Sequence, residues 1–212
     1  MNNGRRWGYA LLALSLLVSA TGCGTLFGRR ESKVPTKANL LAVFPLQRDE
    51  VISETEAGAA GSNLPLGAEN VVSAQLYGVL ASRSRWRLVS DLTAEDALRR
   101  TPKSGSLEER ARALGEATKA DVVLCGTISR FRERVGSQFG ARTPAAVAFE
   151  LELVSTETGE VLWRGAFNET QKPLAYNLFN WWMFWQAGPR WFSAREFARL
   201  GAEKLIDDLD SK

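Results

Sequence analysis

The chain has 212 residues, 45% of them hydrophobic and 24% charged, a composition suited to one globular domain with a short appendage. Its 27 Lys and Arg stand against 24 Asp and Glu, and Arg5 and Arg6 fall in a segment expected to be removed, so no basic surplus remains to bind nucleic acid. Histidine is absent, which excludes Ser-His-Asp and Cys-His catalysis and the common zinc sites.

Residues 1–22 have the form of an export signal: Arg5 and Arg6, the apolar run Tyr9–Ala20, then small residues before a cysteine. The run is too short to span a membrane permanently. Its end, Ala20-Thr21-Gly22-Cys23, resembles the lipobox of bacterial lipoproteins, with Ala20 where Leu is preferred. That resemblance implies cleavage before Cys23 and covalent diacylglyceryl and N-acyl (palmitate-type) chains on it, two or more of which hold a protein firmly to a bilayer. Gly24, in place of an Asp after the cysteine, implies the outer membrane and its periplasmic face. Residues 23–38 then read as a lipid-anchored linker, basic and without periodicity, and the fifteen residues 24–38 reach about 50 Å at most.

Residues 39–212 read as a single α/β domain. Leu40–Leu46 is apolar and ends at Pro45, as suits a first strand buried on both faces and stopped by the missing amide hydrogen. Residues 47–66 lack a period and read as a loop. Gly67–Ser82 places Val72, Leu76, Val79 and Leu80 on one helical stripe. Arg85–Val89 reads as a short strand, and Asp91 as the cap of the helical turn that follows. Ser106 and Glu109 form a capping box for a helix that ends near Ala120, with Leu107, Ala111 and Leu114 on its apolar face.

The three strands Asp121–Phe131, Ala145–Val154 and Glu160–Phe167 are the core of the sheet. Val147, Phe149, Leu151 and Leu153 alternate with Ala148, Glu150 and Glu152, the period of a half-buried strand. Thr156-Glu157-Thr158-Gly159 is a hairpin turn, so the two C-terminal strands pair antiparallel. The expected fold is a mixed sheet of about five strands with helices packed on it. Cys125 lies inside a strand and is expected to be a buried, inert thiol. Between Phe131 and Ala145, charged residues and the glycines Gly136 and Gly140 read as an exposed, flexible hairpin tip.

Residues 176–192 carry eight aromatic residues. In a helix, Leu178, Trp181, Trp182 and Trp185 fall on one stripe, which suits the domain's own core, a membrane surface or a partner protein. Trp181, Trp182, Trp185, Trp191 and Phe192 are therefore the candidate membrane or partner contacts. Gly188-Pro189 ends the segment, and Ser193 with Glu196 makes a second capping box for a final helix over 193–210. Its stripe is Phe197, Gly201, Leu205 and Leu209, with Gly201 allowing close approach to the sheet.

No paired carboxylates at strand ends and no Gly-rich phosphate loop are found, so no catalytic residue, metal ligand, small-molecule substrate or cofactor is expected beyond the lipid on Cys23. At Leu41–Pro45, Ala120–Ser129 and Val154–Trp163 the chain resembles a group of envelope lipoproteins that includes CsgG, LpoB and the N-terminal domain of TolB, over about residues 39–210. The resemblance implies an α/β domain, no enzyme activity, and a role as a partner-binding or self-associating module in envelope assembly or transport. Two alternatives are a subunit of an oligomeric curli-type secretion apparatus and an enzyme acting on envelope polymers. The Ile128–Ala146 tip, with four arginines and Glu133, is too charged for the lipid-facing hairpin that a curli-type pore requires.

Overall fold

The computed structural model describes residues 34, 38–49, 64–138, 140–171 and 190–212. Cys23, Trp181, Trp182 and Trp185 lie outside them. Glu31–Lys212 is one compact unit, and every core residue described below belongs to it.

The chain pairs β1 (Leu40–Val43) in parallel with both β3 (Arg87–Leu88) and β4 (Val122–Arg132), so β1 is central as its apolar run requires. Leu41 faces one core and Ala42 the other, and both are fully buried. The strand expected over Leu40–Leu46, stopped at Pro45, is found as β1, which ends at Val43. Pro45 has no N–H to continue the ladder, and the chain resumes as β2 (Gln47–Arg48), pairing in parallel further along β4 at Thr127 and Ile128. By sequence those two residues belong to the 47–66 loop; residues 50–63 of that loop lie outside the described residues.

β4 pairs antiparallel with β7 (Ala146–Ser155), which pairs antiparallel with β8 (Val161–Thr170). Among the described residues these strands make a six-stranded mixed sheet, in the order β3-β1-β4-β7-β8 with β2 also on β4. The turn between β7 and β8 closes through the Gly159 N–H donating to the Ser155 carbonyl at 2.9 Å, with Gly159 at φ 73°, a value that glycine adopts without steric cost. A bulge after Ile128 keeps Phe131 facing the core while Arg130 and Arg132 stand on the opposite face, opposite Ala148 and Ala146.

One sheet face is covered by α1 (Ala68–Arg83) and α4 (Ala194–Asp210), whose buried stripes meet Leu41, Leu124, Phe149, Leu151, Trp163 and Phe167. The other is covered over β1 and β4 by α2 (Asp91–Arg100) and α3 (Leu107–Thr118), around Phe44, Val123, Cys125 and Val154. Three helix starts follow local chemistry. The capping boxes of α3 and α4 are both formed. In α2 the cap is Ser90, whose Oγ accepts the Thr93 N–H at 3.3 Å; Asp91, expected as the cap, is the first helical residue, where its charge meets the positive end of the helix dipole.

Close approaches of α3 and α4 to the sheet rest on two glycines. A Cβ at Gly115 would lie 2.2 Å from Thr156 Oγ1, and one at Gly201 would lie 2.6 Å from Phe167 Cδ1. Phe167 in turn is held between Phe149 and Phe197, at 5.6 and 5.4 Å between ring centroids.

Candidate contact site at the stem of the aromatic segment

The aromatic segment lies in the chain between β8 and α4, and Gln171 and residues 190–192 on either side of residues 172–189 are described. Gln171, 3% exposed, is the residue that joins them. Its N–H donates to the Ala145 carbonyl at 3.0 Å, its Nε2 donates to the Arg190 carbonyl at 3.0 Å, and its Oε1 accepts the Phe192 N–H at 2.8 Å. A side-chain amide suits this place because it donates and accepts at once, satisfying two backbone groups that no sheet or helix serves. An unpaired buried amide costs about 1–3 kcal/mol, so the clasp stabilises the stem appreciably.

A second set of bonds ties the stem to the hairpin tip, where β5 (Val135–Ser137) and β6 (Gly140–Thr143) form their own two-stranded sheet. The Trp191 N–H donates to the Gln138 carbonyl at 2.8 Å, and the Arg134 guanidinium donates to the Trp191 carbonyl. Both carboxylate oxygens of Glu133 accept the Ala194 N–H at 3.1 Å, adding an acceptor from a distant strand end to the α4 start that Ser193 already caps. The tip expected to be loose is thus anchored, although residues such as Val135 and Arg142 remain exposed.

Glu196 completes the arrangement. It accepts the Ser193 N–H at 2.9 Å and pairs with Arg190 at 2.8 Å. Burial works to raise its carboxyl, but the Ser193 N–H and hydroxyl, with Arg190 and Arg134, outweigh it and hold the group below its ordinary 4.5.

Of the sequence-designated contacts, Phe192 is a core residue and not a surface: it is 1% exposed and packs on Phe197 with ring centroids 6.5 Å apart. An aromatic next to a helix cap reads the same in the sequence whether it points in or out, and here the ring packs inward on Phe197 while Gln171 holds its backbone N–H. Trp191 is half-buried beside the tip. Gln171 and Glu133 had no signal at the level of motif or spacing, since each acts on a backbone group 21 or 61 residues away.

Burial raises the Glu152 carboxyl, with Arg164 opposing from 2.7 Å and Glu108 and Glu150 adding to the rise. Burial likewise raises Asp210, against its contacts with Arg85. The two lie on opposite faces of the sheet and share no site. Cys125 is fully buried, and burial, with Glu152 and Glu108 adding to it, pushes its thiol up to about 12. Among the described residues no cluster of His, Cys, Asp and Glu is placed to hold a metal ion, and no helix is long and apolar enough to cross a membrane.

The described residues form an α/β domain with a mixed sheet, in which Gln171 ties the end of β8 to the residues just before α4. No family model and no curated protein matches the chain. Solved structures similar to it include the PelC dodecamer from Paraburkholderia phytofirmans, 13% identical over 82% of this chain and 89% of that one, with a TM-score of 0.47. Lipoprotein GNA1162 from Neisseria meningitidis is 14% identical over 70% and 91%, with a TM-score of 0.46. The LpoB C-terminal domain from Salmonella enterica is 21% identical over 63% and 84%, with a TM-score of 0.41. At these identities and scores, what those proteins do does not transfer to this chain.

Proposed function

We propose that the chain is a non-catalytic lipoprotein of the bacterial outer membrane, held at the periplasmic face by diacylglyceryl and N-acyl chains on Cys23. Its domain serves as a partner-binding or assembly module of the cell envelope, through the aromatic segment that carries Trp181, Trp182 and Trp185, with Trp191 at its stem. The lipobox-like stretch and the sequence resemblance to envelope lipoproteins support the anchor and the class. The observation that carries the contact site is the clasp: Gln171 and the hairpin tip hold both ends of an eight-aromatic stretch at one pole of the fold. Residues 38–40 join the sheet at the other pole, beside the start of β4, where the Asn39 and Leu40 N–H groups donate to the Asp121 carboxylate at 2.9 Å.

Two substitutions test the two halves of this reading in the cell. Cys23→Ala is expected to leave an unprocessed chain without acyl label; continued acylation refutes the anchor. Trp181, Trp182 and Trp185 changed together to Ser are expected to abolish association, measured as cross-linked complexes in the envelope, at an unchanged melting temperature. A large loss of stability with association retained makes the tryptophans core and refutes the contact.

A further inference from the structure

The pole that holds the clasp carries six arginines. Arg130 and Arg132 reach it from the end of β4, Arg134 and Arg142 from the hairpin tip, and Arg190 and Arg195 from the start of α4. Four carboxylates stand among or beside them, the first being Asp49, whose N–H donates to the Ile128 carbonyl at 3.0 Å. Glu133 is engaged by the Ala194 N–H, Glu196 by Ser193 and Arg190, and Glu169 is half-buried on the α4 side of β8. Arg130 is bonded to Asn168, and Arg132 makes a long contact to the Pro144 carbonyl at 3.4 Å. Arg142 and Arg195 are exposed. The chain as a whole carries 27 basic against 24 acidic residues, so this concentration is a matter of placement and not of composition.

From this we infer that the arginine pole is a docking surface for an anionic phospholipid membrane. Val135, 53% exposed, and the half-buried Trp191 stand among the arginines, the mixture of apolar side chains and cations that settles at a headgroup boundary. The inference rests on the proposed lipid anchor for its geometry. β4 runs from the attachment pole to the arginine pole over eleven residues, about 36 Å at 3.3 Å per residue. The linker reaches about 50 Å, so the domain can turn its arginine pole onto the membrane that holds it. Acyl chains supply attachment; the arginines supply orientation.

The test uses residues 24–212, which retain the whole compact unit and both cores, so the anchor plays no part in the result. Co-sedimentation is measured with vesicles of phosphatidylcholine alone and of phosphatidylcholine mixed with phosphatidylglycerol. Binding is expected to the anionic vesicles and not the neutral ones, and to weaken as salt rises. Arg142→Gln with Arg195→Gln is expected to lower partitioning roughly twenty-five-fold, at about five-fold per arginine near an anionic surface. The double variant should melt with the parent, since both side chains are exposed. Equal binding to both vesicle types assigns the contact to the tryptophans and overturns the inference, as does a double variant that partitions like the parent. Binding to neither vesicle overturns it too, leaving the pole to a protein partner and the anchor on Cys23 untouched.

Discussion

Two glycines inside helices should respond to the same substitution with opposite sign. Gly78 lies in α1 with nothing within 4 Å of the position its Cβ would take. Alanine there is expected to stabilise the fold by about 1 kcal/mol, the difference in helix propensity. Gly201 lies in α4, and its Cβ would meet Phe167 Cδ1, Cγ and Cε1 at 2.6, 2.7 and 2.9 Å. The ring cannot retreat, because Phe149 and Phe197 flank it and Phe167 itself is 3% exposed. Overpacking of this kind costs about 1–3 kcal/mol, and a clash with three atoms of a confined ring belongs at the upper end. Subtracting the same propensity gain of about 1 kcal/mol leaves Gly201→Ala destabilised by about 2 kcal/mol. For a domain of this size, thermal melting should therefore rise by about 2–4 °C in Gly78→Ala and fall by about 4–8 °C in Gly201→Ala. A Gly201→Ala protein that melts at or above the parent temperature would mean that α4 does not approach the sheet as closely as described.

Gln171→Met keeps the side chain's bulk but strands the Phe192 N–H and the Arg190 carbonyl. It should lower stability by about 2 kcal/mol in urea and raise quencher access to the tryptophans; unchanged quenching would refute the clasp. Asp121 is held below its ordinary 3.8 by the Leu40 and Asn39 N–H groups, so its contribution is present above that value and is lost as pH falls through the lower folded pKa. Asp121→Asn should accordingly be less stable than the parent at neutral pH, with the gap closing in strong acid, and a gap that widens on acidification would reverse the assignment. Cys125 should resist thiol reagents at pH 8 in the native protein and react at once in denaturant. Rapid native labelling at this position would contradict its burial.

Much of the fold was legible because it depends on near neighbours. The alternation in β7, the turn at Gly159, the stripe of α1 and the Ser-x-x-Glu boxes of α3 and α4 are patterns a few residues long, and each is found where its chemistry places it. Gly201 was legible as well, since a glycine on the buried stripe of a helix has few uses other than close packing. The displaced cap at α2 shows the limit of such patterns: Ser90 and Asp91 are both good caps, and only the backbone's β conformation at Ser90 decides between them.

The tertiary structure decided what depends on distant partners. That the chain resumes pairing beyond Pro45 was settled by β4, which accepts the Phe44 N–H at Leu124 and the Asp49 N–H at Ile128 on either side of that proline. Phe192 packs inward on Phe197 while Gln171 holds its N–H, and the hairpin tip was fastened by Glu133 and Arg134 to residues about sixty positions later. The six arginines came together at one pole for the same reason. Spacing along the chain encodes what a residue meets one helical turn or one strand pair away, whereas a buried backbone group must find its partner wherever the packed fold supplies one.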